Sequence, residues 1–173
     1  MPATLIMFWM FAGVAVVSAV LCITRTSPVA SALWLVVTLF QIAALFVMLD
    51  AQFLAVLQVL VYAGAIMVLF LFVIMLLNLG RLSVSDIKGP VGLAVAAFLA
   101  GALGLQLFIV ARTAPPADVS LPPGALAAVE RAEGMVAAVA RPLFGAYLVP
   151  FEITSVLLLA AIVGAVVLAK RHI

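Results

Sequence analysis

The sequence predicts an all-α integral membrane protein with five transmembrane helices. Two observations carry that prediction. Of 173 residues, 69% are hydrophobic and only 8% charged, against about 45–50% apolar and about 25% charged in soluble domains. The apolar residues also fall into five continuous runs, each close to the about 20 residues that a helix needs to cross a hydrocarbon core of about 30 Å. Continuous apolarity excludes the alternating pattern of an outer-membrane barrel strand.

The runs are 3–24, 28–49, 53–77, 91–111 and 147–169, which together read as a single membrane domain. The first carries neither Lys nor Arg and no small-residue cleavage site, so it reads as a retained span rather than a signal peptide. Arg25-Thr26-Ser27-Pro28 forms a tight link with Pro at the start of the second span. Asp50-Ala51-Gln52 is a second short link, with Asp50 as an interfacial loop acid. A polar loop from Asn78 to Pro90 holds Arg81, Asp86 and Lys88 and closes on Gly89-Pro90.

The stretch 112–146 reads as a long external loop, Pro-rich around Pro115-Pro116 and Pro122-Pro123. Within it, Leu126, Val129, Val136 and Val139 recur at helical spacing over 125–140. This segment is either a helix on the membrane surface or a solvated loop.

Orientation follows from the basic residues. Arg25, Arg81, Lys88, Lys170 and Arg171 lie on one side, and Arg112, Arg131 and Arg141 on the other. The positive-inside rule therefore places the N-terminus outside and the C-terminus in the cytoplasm. The net charge of +2 is absorbed by these anchors, and no nucleic-acid partner is implied. No internal repeat of the transporter kind is visible, and five spans do not divide into equal halves.

The spans lack ionisable side chains at their centres, whereas proton and ion pathways are built from them. The single His, His172, sits at the terminal anchor, and Cys22 is the single cysteine. No nucleophile–base pair, phosphate loop, haem-ligating His pair or metal-ligand spacing is present, so no catalytic, cofactor or metal site is expected on this chain. Glu152 is the one acid just inside a span. With Pro150 as the first helical residue it would meet the positive end of the helix dipole; otherwise it would face a water path or a partner.

Neutral polar groups do lie at depth: Thr38 and Gln41, Gln58 and Tyr62, Gln106, Thr154 and Ser155. Small residues recur four apart at Ala97–Gly101 and Ala160–Gly164. Both features mediate helix–helix association in lipid. Five spans cannot use all these faces internally, so neighbouring membrane subunits are expected alongside the bilayer.

The third span is the least ordinary. Gln58 and Tyr62 lie one turn apart on a common face that Ala65 continues. Gly64, near the middle, weakens the local helix by about 1 kcal/mol relative to Ala. Such a centre can pack closely, or it can distort into a π-bulge.

Val61-Tyr62-Ala63-Gly64-Ala65-Ile66-Met67-Val68-Leu69-Phe70, continuing through Leu71 to Asn78, resembles the signature of the NuoJ-type subunit of proton-pumping NADH:quinone oxidoreductase, respiratory complex I. Ser27-Pro28-Val29, Phe53-Leu54-Ala55, Leu143-Phe144-Gly145-Ala146-Tyr147-Leu148 and Pro150-Phe151-Glu152 are similar to further family segments. The resemblance covers about two-thirds of the chain. It implies a subunit of the membrane arm near the quinone-binding end, with FMN, iron–sulfur clusters and quinone on or with other subunits; the Ala/Val/Leu-rich composition without a transit peptide suits a bacterial inner membrane.

It also implies a third helix with a π-bulge around Tyr62–Val68, whose conversion connects quinone reduction to proton channels in neighbouring subunits. The residues it assigns to gating are Tyr62, Ala63, Gly64, Ala65, Met67, Val68 and Phe70. Gln58 and Glu152 are possible polar contacts. Some relatives carry an acid at Gln58, so no proton-relay role passes to that amide. The competing expectations are a structural scaffold, in the same complex or in a related ferredoxin- or hydrogenase-linked one, and a small independent channel.

Overall fold

The computed structural model describes residues 2–77, 90–113, 128 and 131–170. The polar loop 78–89, the Pro-rich stretch 114–124 and the anchor residues Arg171 and His172 lie outside the described residues. The described chain is all-helical, with five helices long and apolar enough to cross a membrane: Ala3–Thr24, Pro28–Met48, Gln52–Leu76, Gly92–Val110 and Leu148–Ala169. Each matches its expected run to within a residue or two at either end.

The chain divides into two compact units, Met1–Pro123 and Gly124–Ile173. The first opens with α1 (Pro2–Thr24) and α2 (Pro28–Met48). Ser27 is extended (φ −91°, ψ 120°) and Pro28 opens α2, where a missing amide hydrogen costs nothing. The Ser31 amide closes the turn onto the Ser27 carbonyl at 2.9 Å.

The other end of α2 is a Schellman turn. Asp50 takes the left-handed conformation (φ 58°). The Ala51 amide reaches back to the Phe46 carbonyl at 3.0 Å and the Asp50 amide to that of Val47 at 3.1 Å. Asp50 therefore holds the position usually given to Gly, which short polar side chains tolerate. Its structural work is in the backbone.

The third span has three parts: α3 (Gln52–Leu57), a π-helical segment (Gln58–Ile66) and α4 (Met67–Leu76). α1 and the third span both pack on α2, and among the described residues not on each other. On the α1 side, Ser18 and Thr38 are buried and hydrogen-bonded. On the other, Ala32 is buried with Met67 and Ile74, flanked by Leu35, Val36, Leu39 and Leu71. Lipid tails are as apolar as these side chains, so close packing rather than escape from water holds the three helices.

α5 (Pro90–Arg112) completes the described part of this unit. Its apolar window buries no residue, and the Arg112 guanidinium lies 5.0 Å from the Phe108 ring centroid. The small residues of this helix are open too: a Cβ on Gly101 would meet nothing within 4 Å.

In the second unit, α6 (Met135–Phe144) precedes α7 (Leu148–Ala169). The helical pattern read over 125–140 is broken at Gly134, whose φ of 85° suits a residue without a side chain. Residues 131–133 are helical before the break, and α6 runs four residues past the expected end. Phe144 and Phe151 meet edge-on, centroids 5.1 Å apart, and join α6 to α7. Arg141 pairs with Glu133 at 2.5 Å. Gly164 is as open as Gly101.

Candidate functional site

Two boundary bonds define the distortion in the third span. The Met67 amide donates to the Tyr62 carbonyl, five residues back, and shares the Gly64 carbonyl, three back. A regular helix would use Ala63. At Gly64, a Cβ would lie 3.2 Å from the Val59 carbonyl oxygen, again five residues back. The glycine leaves that approach free.

The π segment begins four residues before the expected Tyr62 and ends at Ile66 rather than Val68. The packing gives the reason. Ala55 in α3 and Met67 and Ile74 in α4 are buried, and α2 is the helix both parts pack against. Met67 and Ile74, seven residues apart, share a face of any α-helix, only about 20° off alignment. Ala55 and Met67 are twelve residues apart, and regular winding would set them about 120° apart. Accommodating one extra residue in the π segment removes about 100° and leaves about 20°. The distortion therefore lies between the two seats, where it turns both halves towards α2.

Of the residues assigned to gating, Ala63 and Met67 are buried, 6% and 5% exposed. Gly64 is half-buried. Tyr62, Ala65, Val68 and Phe70 are exposed. Met67, Val68 and Phe70 belong to the regular α4, immediately after the π winding.

Gln58 opens the π segment, half-buried. Beside this first turn lies an open apolar groove of about 770 Å³ between α2 and the third span. Its lining is Phe40, Ala43, Ala44, Val47, Gln52, Ala55, Val56, Val59 and Leu60.

Glu152 belongs to the other unit and is exposed. Helix α7 starts at Leu148, two residues before Pro150, and has no acid in its first turn. The carboxylate is thus a turn too far along for the end-of-helix interaction expected of it, because the dipole effect fades within the first turn. Thr154 and Ser155 are not aimed at it either: both hydroxyls donate to the Phe151 carbonyl, at 2.7 and 3.1 Å.

Among the described residues no three His, Cys, Asp or Glu side chains gather where a metal could bind. A single cysteine cannot hold an iron–sulfur cluster.

Sequence comparison gives this geometry its context. Residues 18–168 match the family described as NADH-ubiquinone/plastoquinone oxidoreductase chain 6. The chain belongs to that family. Among its chain 6 relatives, NADH-quinone oxidoreductase subunit J of Pseudomonas aeruginosa is 37% identical, covering 95% of both chains. The subunit J of Rhodobacter capsulatus is 36% identical over 95% of this chain and 81% of its own. That of Escherichia coli K12 is 33% identical over 91% and 82%. For a chain 6 protein the part of the resemblance from Val61 to Leu76 falls on the π segment and the helix after it.

The sequence assigns no packing role to Ser18, Ala32, Ala55 or Ile74, the residues that seat the third span and its support. Small or apolar side chains in uniformly apolar helices carry no periodic signal. Only contact shows which ones face inward.

Proposed function

We propose that this chain is a membrane-arm subunit of proton-translocating NADH:quinone oxidoreductase, which couples quinone reduction to proton translocation by switching the winding of its third span. FMN, iron–sulfur clusters and quinone reside on or with other subunits, and the acids of the proton path belong to neighbouring membrane subunits. The N-terminus faces outside and the C-terminus the cytoplasm of a bacterial inner membrane. Family membership supports the assembly. The π segment at Gln58–Ile66, carried on a helix without Asp, Glu, Lys, Arg or His at its centre, is the observation that supports the mechanism.

The physical logic is that of a neutral gate. Returning the extra residue to regular winding turns α4 relative to α3 by about 100°. Met67, Val68 and Phe70 are each carried about 100° around the axis, and an apolar side chain swings into or out of a chain of water. No charge crosses the bilayer in that motion, so the several kcal/mol that a buried ion costs are avoided.

Replacing Gly64 with Val or Leu tests this in the assembled enzyme. A branched side chain against the Val59 carbonyl disfavours the π winding. Quinone reduction coupled to pumping falls, while NADH–ferricyanide activity and the amount of complex on native gels stay unchanged. Full pumping in an assembled Gly64→Val enzyme would defeat the proposal. Loss of activity only in step with lost assembly would instead favour a scaffold.

A further inference from the structure

We infer that Ala32 of α2 is a positioning residue: a two-place seat that receives Met67 and Ile74 when the third span is π-wound and Ile66 and Val73 when it is regular. This rests on the winding switch proposed above and names the partner surface that reads it. Ala32 is 3% exposed and lies in one cluster with Met67 and Ile74, with Leu71 packed against them. On the other half of the interface, Ala55 is buried against α2 in α3, ahead of the distortion. With Ala55 held, removing the extra residue leaves position 67 about 120° away, and position 66 falls at about 20°. Each place in α4 is then taken by the preceding residue: Ile66 for Met67, Phe70 for Leu71, Val73 for Ile74.

The exchange is nearly balanced, which is what a switch requires. Ile66, Phe70 and Val73 are all exposed now, Ile66 and Phe70 by 50% each, and all are apolar. Met67 gives way to Ile66 of similar volume, and Ile74 to a Val73 one methylene smaller. The bulk missing there is more than returned by Phe70 in place of Leu71. Volume-conserving apolar exchanges are the ones packed interiors tolerate best. The alanine gives the seat its tolerance, because a β-methyl presents no shape that prefers one occupant.

Cysteine pairs in the assembled enzyme, in native membranes and with Cys22→Ser as background, test the seat. Ala32→Cys is combined with Met67→Cys in one chain and with Ile66→Cys in another, and copper phenanthroline drives cross-linking. At rest the Met67→Cys pair should close at least tenfold faster. During NADH oxidation the Ile66→Cys pair should accelerate several-fold while the Met67→Cys pair slows. Equal rates at rest, or an Ile66→Cys pair that turnover leaves unchanged, would overturn the seat. In that case a Met67→Cys cross-link that stops quinone reduction, reversibly with thiol, leaves the winding switch standing. A cross-linked enzyme that still pumps fully refutes the switch itself. Should either double variant fail to assemble, exchanging Phe70→Leu with Leu71→Phe keeps composition while overpacking the π register. Coupled turnover should drop several-fold at constant ferricyanide reduction, and an unchanged rate would count against the seat.

Discussion

Ser18 Oγ and Thr38 Oγ1 lie 2.9 Å apart in the interface between α1 and α2, both side chains buried. Each hydroxyl also approaches a carbonyl of its own helix, Ala15 and Trp34, at 3.0 Å. With one proton each, only one hydroxyl can donate across the interface while the other donates at home. Two equivalent arrangements satisfy both groups. This bond ties α1 to the helix on which the third span packs.

The bond should be worth what such bonds are worth in membranes, about 0.6 kcal/mol and at most about 2. Ser18→Ala and Thr38→Val each leave the surviving hydroxyl its own-helix carbonyl, so no buried group is orphaned. A double-mutant cycle on unfolding in mixed micelles should give a coupling energy of about that size. Strict additivity would mean the hydroxyls merely lie close.

Gly64→Ala should tilt the winding without destroying it. A methyl 3.2 Å from the Val59 carbonyl oxygen forces a shift of a few tenths of an ångström, while the added helix propensity favours regular winding. A bias of about 1 kcal/mol is about fivefold in population. A density map of the assembled variant should show more of the Met67 amide bonded to Ala63, and less to Tyr62. An unaltered Tyr62 bond would contradict this.

At Asp50 the left-handed backbone sets the rank order of substitutions. Asp50→Asn should be neutral within about 0.5 kcal/mol and Asp50→Gly neutral or stabilising, since the turn is made of main-chain bonds. Asp50→Val should cost about 1–2 kcal/mol. Thermal inactivation of the assembled complex reads the difference. A Gly variant as damaged as Val would show that the carboxylate, not the turn, is needed.

Phe144 and Phe151 should matter more than the ion pair beside them. Their edge-on contact is worth about 0.5–1.5 kcal/mol beyond the area it covers. An exposed pair such as Arg141–Glu133 is worth about 0.2–1 kcal/mol. Limited proteolysis at the Gly134 break should therefore speed up more in Phe144→Ala than in Glu133→Gln.

The legible parts of this protein are those with contrast in them. Pro28 after Ser27 opened the second helix where expected, and the polar links showed where each span ends. The helix-dipole reading of Glu152 depends on Pro150 being the first helical residue, and Pro150 is the third. The motif around Gly64 was visible, yet its bond pattern was displaced by four residues at the start. Helix termini are local matters, whereas the placement of a one-residue offset depends on what both halves must touch.

By itself the sequence determined the solvent, the five spans, the family and the softness of one helix centre. Composition and run length decide these, because moving an apolar helix out of water needs no partner. Only the tertiary structure decided that Ala55, Met67 and Ile74 share one side of the third span, with the winding between Gln58 and Ile66 making up the difference. In an all-apolar helix every face suits lipid equally, so contact with α2 alone distinguishes one rotation from another.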